Sequence, residues 1–411
     1  MTEISRRNFL LISGMSSTSL LKQTFKTQKS PERHRKKLSS QLTFDAWIEL
    51  NLKNMTWNLR QIKKAAKVPV MAVIKANAYG HGLVKTGEHL EKVRINFLMV
   101  GKLQEALLLR KKGVSTSILN FGPFSSGDTE TIIRNNISQS VFNGKISSLS
   151  QAAQRIGKKA KIHIHVDTGM GRMGISFRKA LPYIKKASLL EGILIEGIST
   201  TLTEDDDFDR EQIKRFLNLC QDSEKKGISL GFKHAASSDG VLDFPESHLD
   251  MVRSGIALYG YYPSDKTQKE DRLGLKPVLQ LKSRVVAVKT LQPGDSVSYH
   301  RKYTTQKKEK IAIVPIGYSD GYPHNTIGKA YVLIKEKIYP LIAAVTANHC
   351  TVLLKENSAV SPGDEVVLLG SQGKEKITAN DIAGWAGVSA YKILIGLSPF
   401  LPKREIYYAG D

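Results

Sequence analysis

Residues 68–82 read VPVMAVIKANAYGHG. The apolar run within it, 70–75, follows Pro69, precedes Gly80 and Gly82, and ends on Lys75. Such a short run reads as a strand buried on both faces, the kind that fills parallel sheets. The same unit recurs along the chain at 96–100, 116–121, 138–143, 161–166, 193–198, 230–234 and 250–258, which with the first makes eight. Between these runs, apolar residues fall at spacings of three and four, as in KLQEALLLRKK at 102–112 and again in 207–226, which reads as amphipathic helix. Eight strand-then-helix units predict an α/β chain built on a (β/α)₈ barrel of TIM type. In that fold the C-terminal ends of the strands carry the chemistry, so Lys75 stands where a reactive group is expected. A lysine amine can form a Schiff base with an aldehyde. Taken alone, though, a lysine at a strand end is as readily a snorkelling surface residue.

After Pro277 the pattern changes to consecutive strands at 278–289, 310–316, 330–336, 339–347 and 365–369, punctuated by Pro293-Gly294-Asp295 and Pro362-Gly363-Asp364. The expected organisation is a barrel over 41–275 followed by a mainly β C-terminal domain over 276–411. Residues 43–52, TFDAWIELNL, read as a further strand that joins the β domain before the chain enters the barrel.

The chain has 411 residues, of which 41% are hydrophobic, and carries a formal charge of +23. Residues 1–40 hold nine Lys/Arg and two Asp/Glu, a net of +7, which leaves +16 scattered over the rest. No basic stripe interleaves with aromatics, so a nucleic-acid partner is not expected. No apolar run approaches the roughly 20 residues of a membrane-spanning helix. Two cysteines, Cys220 and Cys350, show no metal-ligand spacing, and no metal is expected. The start, Ser5-Arg6-Arg7-Asn8-Phe9-Leu10 followed by a weakly apolar stretch to Leu21, resembles a twin-arginine export signal. Residues 22–40 are polar and basic and read as a tether, and no A-x-A cleavage pattern follows the apolar stretch. The resulting expectation is a periplasmic protein exported in folded form, with a cytoplasmic one as the alternative.

The string AVIKANAYGHG is similar to the cofactor-lysine signature of the alanine racemase family, pyridoxal-phosphate enzymes of fold-type III. The resemblance continues through HVDTGMGRMG at 165–174, HAASSDG at 234–240, DMVRSGIALYG at 250–260, GDSVSYHRKY at 294–303 and VPIGYSDGYP at 314–323. It implies that Lys75 holds pyridoxal 5'-phosphate and acts as one catalytic base. It implies a phosphate site made of Tyr79, Ser238, Gly255, Ile256 and Tyr391, hydroxyls and main-chain N–H groups suited to a dianion. Arg253 matches the arginine that faces the pyridine nitrogen. A permanently charged guanidinium donates a hydrogen bond without protonating the ring, which favours proton exchange at Cα over elimination or transamination. Tyr299 matches the second catalytic base on the opposite face of the substrate, supplied by the other subunit, so the resemblance implies a homodimer with shared active sites. Arg172 matches the residue that binds the substrate carboxylate, and Tyr318 matches one at the entrance.

Four positions depart from the family pattern. His165 stands where a lysine, often carbamylated, braces the carboxylate-binding arginine, and Thr201 replaces a histidine that lies over the ring. Ala347 and Asn348 stand for a Met-Asp pair near the substrate carboxylate, where the methionine acts through its backbone N–H, so Ala347 preserves the donor and widens the pocket. The implied activity is racemisation of an amino acid, with alanine the default substrate and a broad-specificity racemase the alternative. A decarboxylase of the same fold places a carboxylate at the pyridine nitrogen, unlike Arg253. A non-catalytic cofactor-binding protein has no need of Tyr299.

Overall fold

The eight apolar runs form the parallel strands Val70–Val73, Phe97–Val100, Ser117–Asn120, Ile137–Val141, Ala160–Asp167, Ile193–Ser199, Phe232–His234 and Val252–Ser254 of a computed structural model that describes residues 45–406. The export-signal and tether readings at 1–40 lie outside the described residues. Strand order follows the chain from Val70–Val73 to Phe232–His234, and Val252–Ser254 pairs back onto Val70–Val73. Across the remaining seam, Asp250 N–H donates to Lys233 O at 3.0 Å and Arg253 N–H to Ala236 O at 2.9 Å, which brings the ring close to closure. Of the run at 250–258 only Val252–Ser254 is extended. Gly255 ends it, and Ile256–Tyr259 forms a 3₁₀ turn whose start faces the top of the barrel.

Asn51 caps the first helix, Leu52–Ala66, by accepting from Asn54 N–H at 3.1 Å. Met55, Leu59, Ile62 and Ala66 bury its inner face at helical spacing, and Lys67 ends it in the left-handed region.

Trp47–Leu50 pairs antiparallel with Leu279–Arg284 and parallel with Lys403–Glu405, so the strand expected at 43–52 does join the C-terminal sheet. That sheet has ten strands. Two details differ from the sequence reading. The strand expected over 278–289 is two, Leu279–Arg284 and Ala287–Leu291, which lie in different parts of the sheet. Cys350–Leu354, which is not among the expected strands, is a strand between Glu309–Val314 and Lys337–Val345. The sheet is also accompanied by the helices Ala379–Ala386 and Ala390–Gly396. Gly80 meets the second of these so closely that a Cβ would lie 2.1 Å from Leu394 O, which ties the Lys75 segment to the C-terminal part. One apolar cluster runs through both parts, from Met71 and Leu98 to Leu333 and Val367. Cys220 and Cys350 are buried and free. Among the described residues no helix is long and apolar enough to cross a membrane, and no cluster of metal-ligating side chains occurs.

Candidate active site

Lys75 follows the strand Val70–Val73 and opens a left-handed turn. Ala76, Asn77, Ala78 and Tyr79 have φ of 54°, 55°, 53° and 51°. A left-handed conformation costs about 1–2 kcal/mol per ordinary residue, so Ala76, Ala78 and Tyr79, three of these four consecutive positions, need external support. Glu105 supplies it. Its carboxylate accepts from Asn77 N–H at 3.1 Å, Gly101 N–H at 3.0 Å and Lys102 N–H at 3.2 Å, while the Asn77 side chain accepts from Leu83 N–H at 2.9 Å. The turn throws the Lys75 side chain past Gly101, where a Cβ would come within 3.2 Å of Lys75 Cβ. Burial, then the charges of Arg172 and Arg253, hold the Lys75 amine below its usual range, against an opposing pull from Glu105.

Lys75 lines a cavity of about 660 Å³ together with Tyr79, Arg172, Ser238, Arg253, Gly255, Ile256 and Tyr391. The structure thus brings together eight of the residues the sequence singled out. The Tyr79 ring packs on Tyr259 at 4.9 Å and Tyr391 at 5.9 Å between centroids, and burial pushes the Tyr79 phenol up to about 12. Burial raises the Tyr391 phenol as well, so both hydroxyls stay protonated and able to donate at physiological pH. Ser238 Oγ accepts from Gly255 N–H at 3.0 Å and Ala257 N–H at 3.3 Å. Ser238, Gly255 and the two tyrosines therefore converge on one region, a cradle of neutral donors that suits a phosphate.

Arg253 is 6% exposed, and four of its five N–H groups are engaged internally. Nη1 donates to His234 O at 2.7 Å and to His234 Nδ1 at 2.9 Å, and Nη2 to Thr200 O at 2.8 Å and Ala235 O at 2.9 Å. Only Nε–H has no partner among the described residues. Arg172 rides on a loop folded by Asp167, whose carboxylate accepts from Gly169 and Gly171 N–H, with Gly171 at φ +70°. His165, in place of the family lysine, is bonded to Ser199 Oγ at 3.0 Å and to the Met173 main chain, and burial, then Arg253, depresses it to about 3. It is therefore neutral at physiological pH. Thr201 also lines the cavity.

Tyr299, Tyr318, Ala347 and Asn348 do not line this cavity. Tyr299 is 78% exposed, next to the short strand pair Ser296–Val297 and Tyr303–Thr304, and is flanked by Ser298 and His300 at φ of 70° and 57°. Tyr318 is 57% exposed. The neighbouring Ser319 donates its N–H at 3.0 Å and its hydroxyl at 2.7 Å to Ala347 O and accepts from the Asn348 amide at 2.9 Å, so these three belong together. The sequence reading missed Glu105, which looked like an ordinary residue of an amphipathic helix, and Glu204, which lines the cavity with φ +64°.

The donor set offers hydroxyls and main-chain N–H for a phosphate, an amine for an aldehyde carbon and a guanidinium N–H for a ring nitrogen. A Cβ at Gly255 would stand 2.7 Å from the Tyr79 hydroxyl and fill the cradle. These residues fit pyridoxal phosphate, and a strand-end lysine with such a cradle defines a barrel enzyme of the pyridoxal-phosphate class.

Comparison with known proteins narrows the class. Residues 50–263 match the model of the alanine racemase N-terminal domain, and 278–405 that of the alanine racemase C-terminal domain. The alanine racemase of Clostridium perfringens strain SM101 is 39% identical over 364 residues, covering 87% of this chain and 94% of that protein. That of Symbiobacterium thermophilum is 36% identical over 371 residues, covering 89% and 97%. The structure of the Clostridium difficile 630 alanine racemase superposes with a TM-score of 0.84 at 34% identity, over 89% of this chain and 96% of that one. The Bacillus anthracis enzyme solved with bound L-Ala-P gives 0.81 at 30% identity, over 89% and 96%. The chain belongs to the alanine racemase family and is a pyridoxal-phosphate-dependent amino-acid racemase.

Proposed function

We propose that this enzyme interconverts L-alanine and D-alanine by a two-base mechanism, with Lys75 on one face of the substrate and the partner subunit's Tyr299 on the other. The observation that carries the reading is the convergence of Lys75, Arg172 and Arg253 with the Tyr79, Ser238 and Tyr391 hydroxyls on one cavity. Pyridoxal phosphate, when bound, supplies an electron sink that weakens the Cα–H bond of the amino acid joined to it. Lys75 would hold the cofactor, and its lowered proton affinity favours Nζ as the group that takes and returns the Cα proton on its face. Tyr79, Ser238, Tyr391 and the main chain at Gly255 and Ile256 bind the phosphate. Arg253 Nε–H donates to the ring nitrogen, and Arg172 pairs with the substrate carboxylate.

Racemisation needs an acid and a base on opposite faces of Cα. Tyr299 is exposed and lies outside the cavity of its own chain, which supports a homodimer in which each copy lends this hydroxyl to the other. Tyr318 then lies at the entrance and Ala347 beside the carboxylate. The leader at residues 5–21 supports export to the periplasm. The test is to incubate purified protein with L-alanine and a panel of other L-amino acids and to score the D-forms. Formation of D-alanine supports the proposal, and its absence from a cofactor-loaded sample contradicts it.

A further inference from the structure

Behind Arg253 a line of buried polar groups crosses four barrel strands. His234 Nε2 lies 2.8 Å from His163 Nδ1, and His163 Nε2 lies 3.3 Å from Glu196 Oε2. His163 and His234 have no exposed surface. Glu196 also accepts from the Ser138 hydroxyl and pairs with Lys161 Nζ at 3.6 Å from its other oxygen.

Two features of the fold make room for this line. The pairing of Ala160–Asp167 with Ile193–Ser199 shifts register between Ile162 and His163: Ile162 faces Ile195 and His163 faces Gly197, which leaves Glu196 as an extra residue. A bulge of this kind re-aims a side chain. Gly197 then receives the imidazole, since a Cβ there would lie 2.4 Å from His163 Nδ1.

The donors and acceptors allow one arrangement only. Arg253 Nη1 can only donate, so His234 Nδ1 must be bare and its proton must sit on Nε2. That proton points at His163 Nδ1, which must accept, so the His163 proton also sits on Nε2. It points at a carboxylate, which can only accept. The arginine at one end and the glutamate at the other dictate the same tautomers independently. A second proton on either ring would set two N–H groups against each other. Burial, then the charge of Arg253, holds His234 well below its usual range. Burial raises the Glu196 carboxyl, but hydrogen bonds from His163 and Ser138 and the charge of Lys161 leave it below the usual range.

We infer that His163 and Glu196 are positioning residues for Arg253: the one-way chain Arg253 to His234 to His163 to Glu196 locks both imidazoles as Nε2–H tautomers and keeps the guanidinium turned with Nε–H toward the cavity. The inference rests on the racemase reading of that cavity. Loss of the terminal carboxylate frees His163 to carry its proton on Nδ1. His234 can follow into that form only by setting its Nδ1–H against Arg253 Nη1–H, so the two ends of the chain no longer agree and the guanidinium loses its fixed setting. The guanidinium keeps its three carbonyl partners, so it rotates rather than leaves.

The test uses ¹⁵N-histidine-labelled holoenzyme, with imidazole nitrogens read by long-range proton correlation and assigned through His163→Gln. In the parent protein both histidines are expected as Nε2–H, with His234 unchanged from about pH 6 to about pH 9, a range in which a free histidine titrates. Glu196→Ala should bring the Nδ1–H form into exchange with Nε2–H at His163 and, more weakly, at His234, and lower kcat about tenfold, the size expected for one hydrogen bond to a charged group, with KM within about twofold. His163→Gln, whose amide can accept from His234 and donate to Glu196, should retain kcat within about twofold of the parent. An Nδ1–H tautomer at either position in the parent overturns the inference, as does an active Glu196→Ala with unchanged tautomers and kcat. If Glu196→Ala does not fold, His163→Leu carries the same expected kcat loss. A parent protein that fails to racemise contradicts the functional reading instead and leaves the tautomer measurement standing.

Discussion

A Cβ placed on Gly255 would stand 2.7 Å from the Tyr79 hydroxyl oxygen, closer than real Cβ contacts come. Gly255 has φ −110°, outside the left-handed region, so the reason for glycine that the structure shows here is the space beside the Tyr79 hydroxyl. Gly255→Ala should therefore fold normally and lose cofactor affinity. The expected outcome is a dissociation constant for pyridoxal phosphate raised at least about tenfold, with thermal stability of the apoprotein little changed. A spectroscopic titration at 390–430 nm checks it, where unaltered affinity would refute the cradle.

The Lys75 amine is held below its ordinary value of 10.5 by burial, by Arg172 and by Arg253. Because the unfolded chain binds this proton more tightly than the folded one, the group opposes folding at neutral pH, and its penalty disappears as pH rises toward 10.5. The same shift means that the apoprotein's rate of pyridoxal phosphate capture should rise with pH and level off below that value. Arg172→Gln removes one of the repelling charges, so the midpoint of that profile should move upward. Stopped-flow capture across pH measures this, and a downward or absent shift would contradict it.

How much of this was legible in the sequence varies with the physics of each element. The eight barrel strands stood out because strands buried on both faces must be continuously apolar. Cys350–Leu354 did not, since AAVTANHCTVLL runs from one strand into the next with no glycine or proline to mark the turn. The left-handed turn at 76–79 was hidden for the opposite reason. Its residues are ordinary, and the carboxylate of Glu105, distant in sequence, makes the conformation tolerable. His163 and Glu196 looked like minor polar interruptions because a bulge, which one sequence does not announce, turns Glu196 toward His163. Residues carried over by resemblance to one cavity came together, whereas Tyr299, Tyr318 and Ala347 lie outside it in a single chain.

If each site joins Lys75 of one copy to Tyr299 of the other, inactive Lys75→Ala and Tyr299→Phe proteins should complement each other after dissociation and mixing. A mixed dimer carries one site with both bases, so part of the parent activity should return. Complete failure despite mass-spectrometric proof of subunit exchange would place the whole site within one chain.

Ala347 bears on substrate breadth. Its carbonyl is pinned by Ser319, so the main chain is fixed while the side chain is reduced to a methyl. Space for a methylene in an apolar pocket is worth roughly 1–3 kcal/mol of discrimination. The enzyme should therefore accept longer amino acids, and Ala347→Met should narrow it, lowering kcat/KM for L-methionine or L-lysine relative to L-alanine by at least about tenfold. Equal ratios in parent and variant would show that other side chains refill the space.

The two-base racemase account is tested most directly by running the reaction in deuterated water and following Cα by mass spectrometry and chiral chromatography. From L-alanine, the account predicts D-alanine in which every molecule carries deuterium at Cα, and no exchange or product with Lys75→Ala. A cofactor-loaded parent that forms no D-alanine, or forms it with the original hydrogen retained throughout, would contradict it.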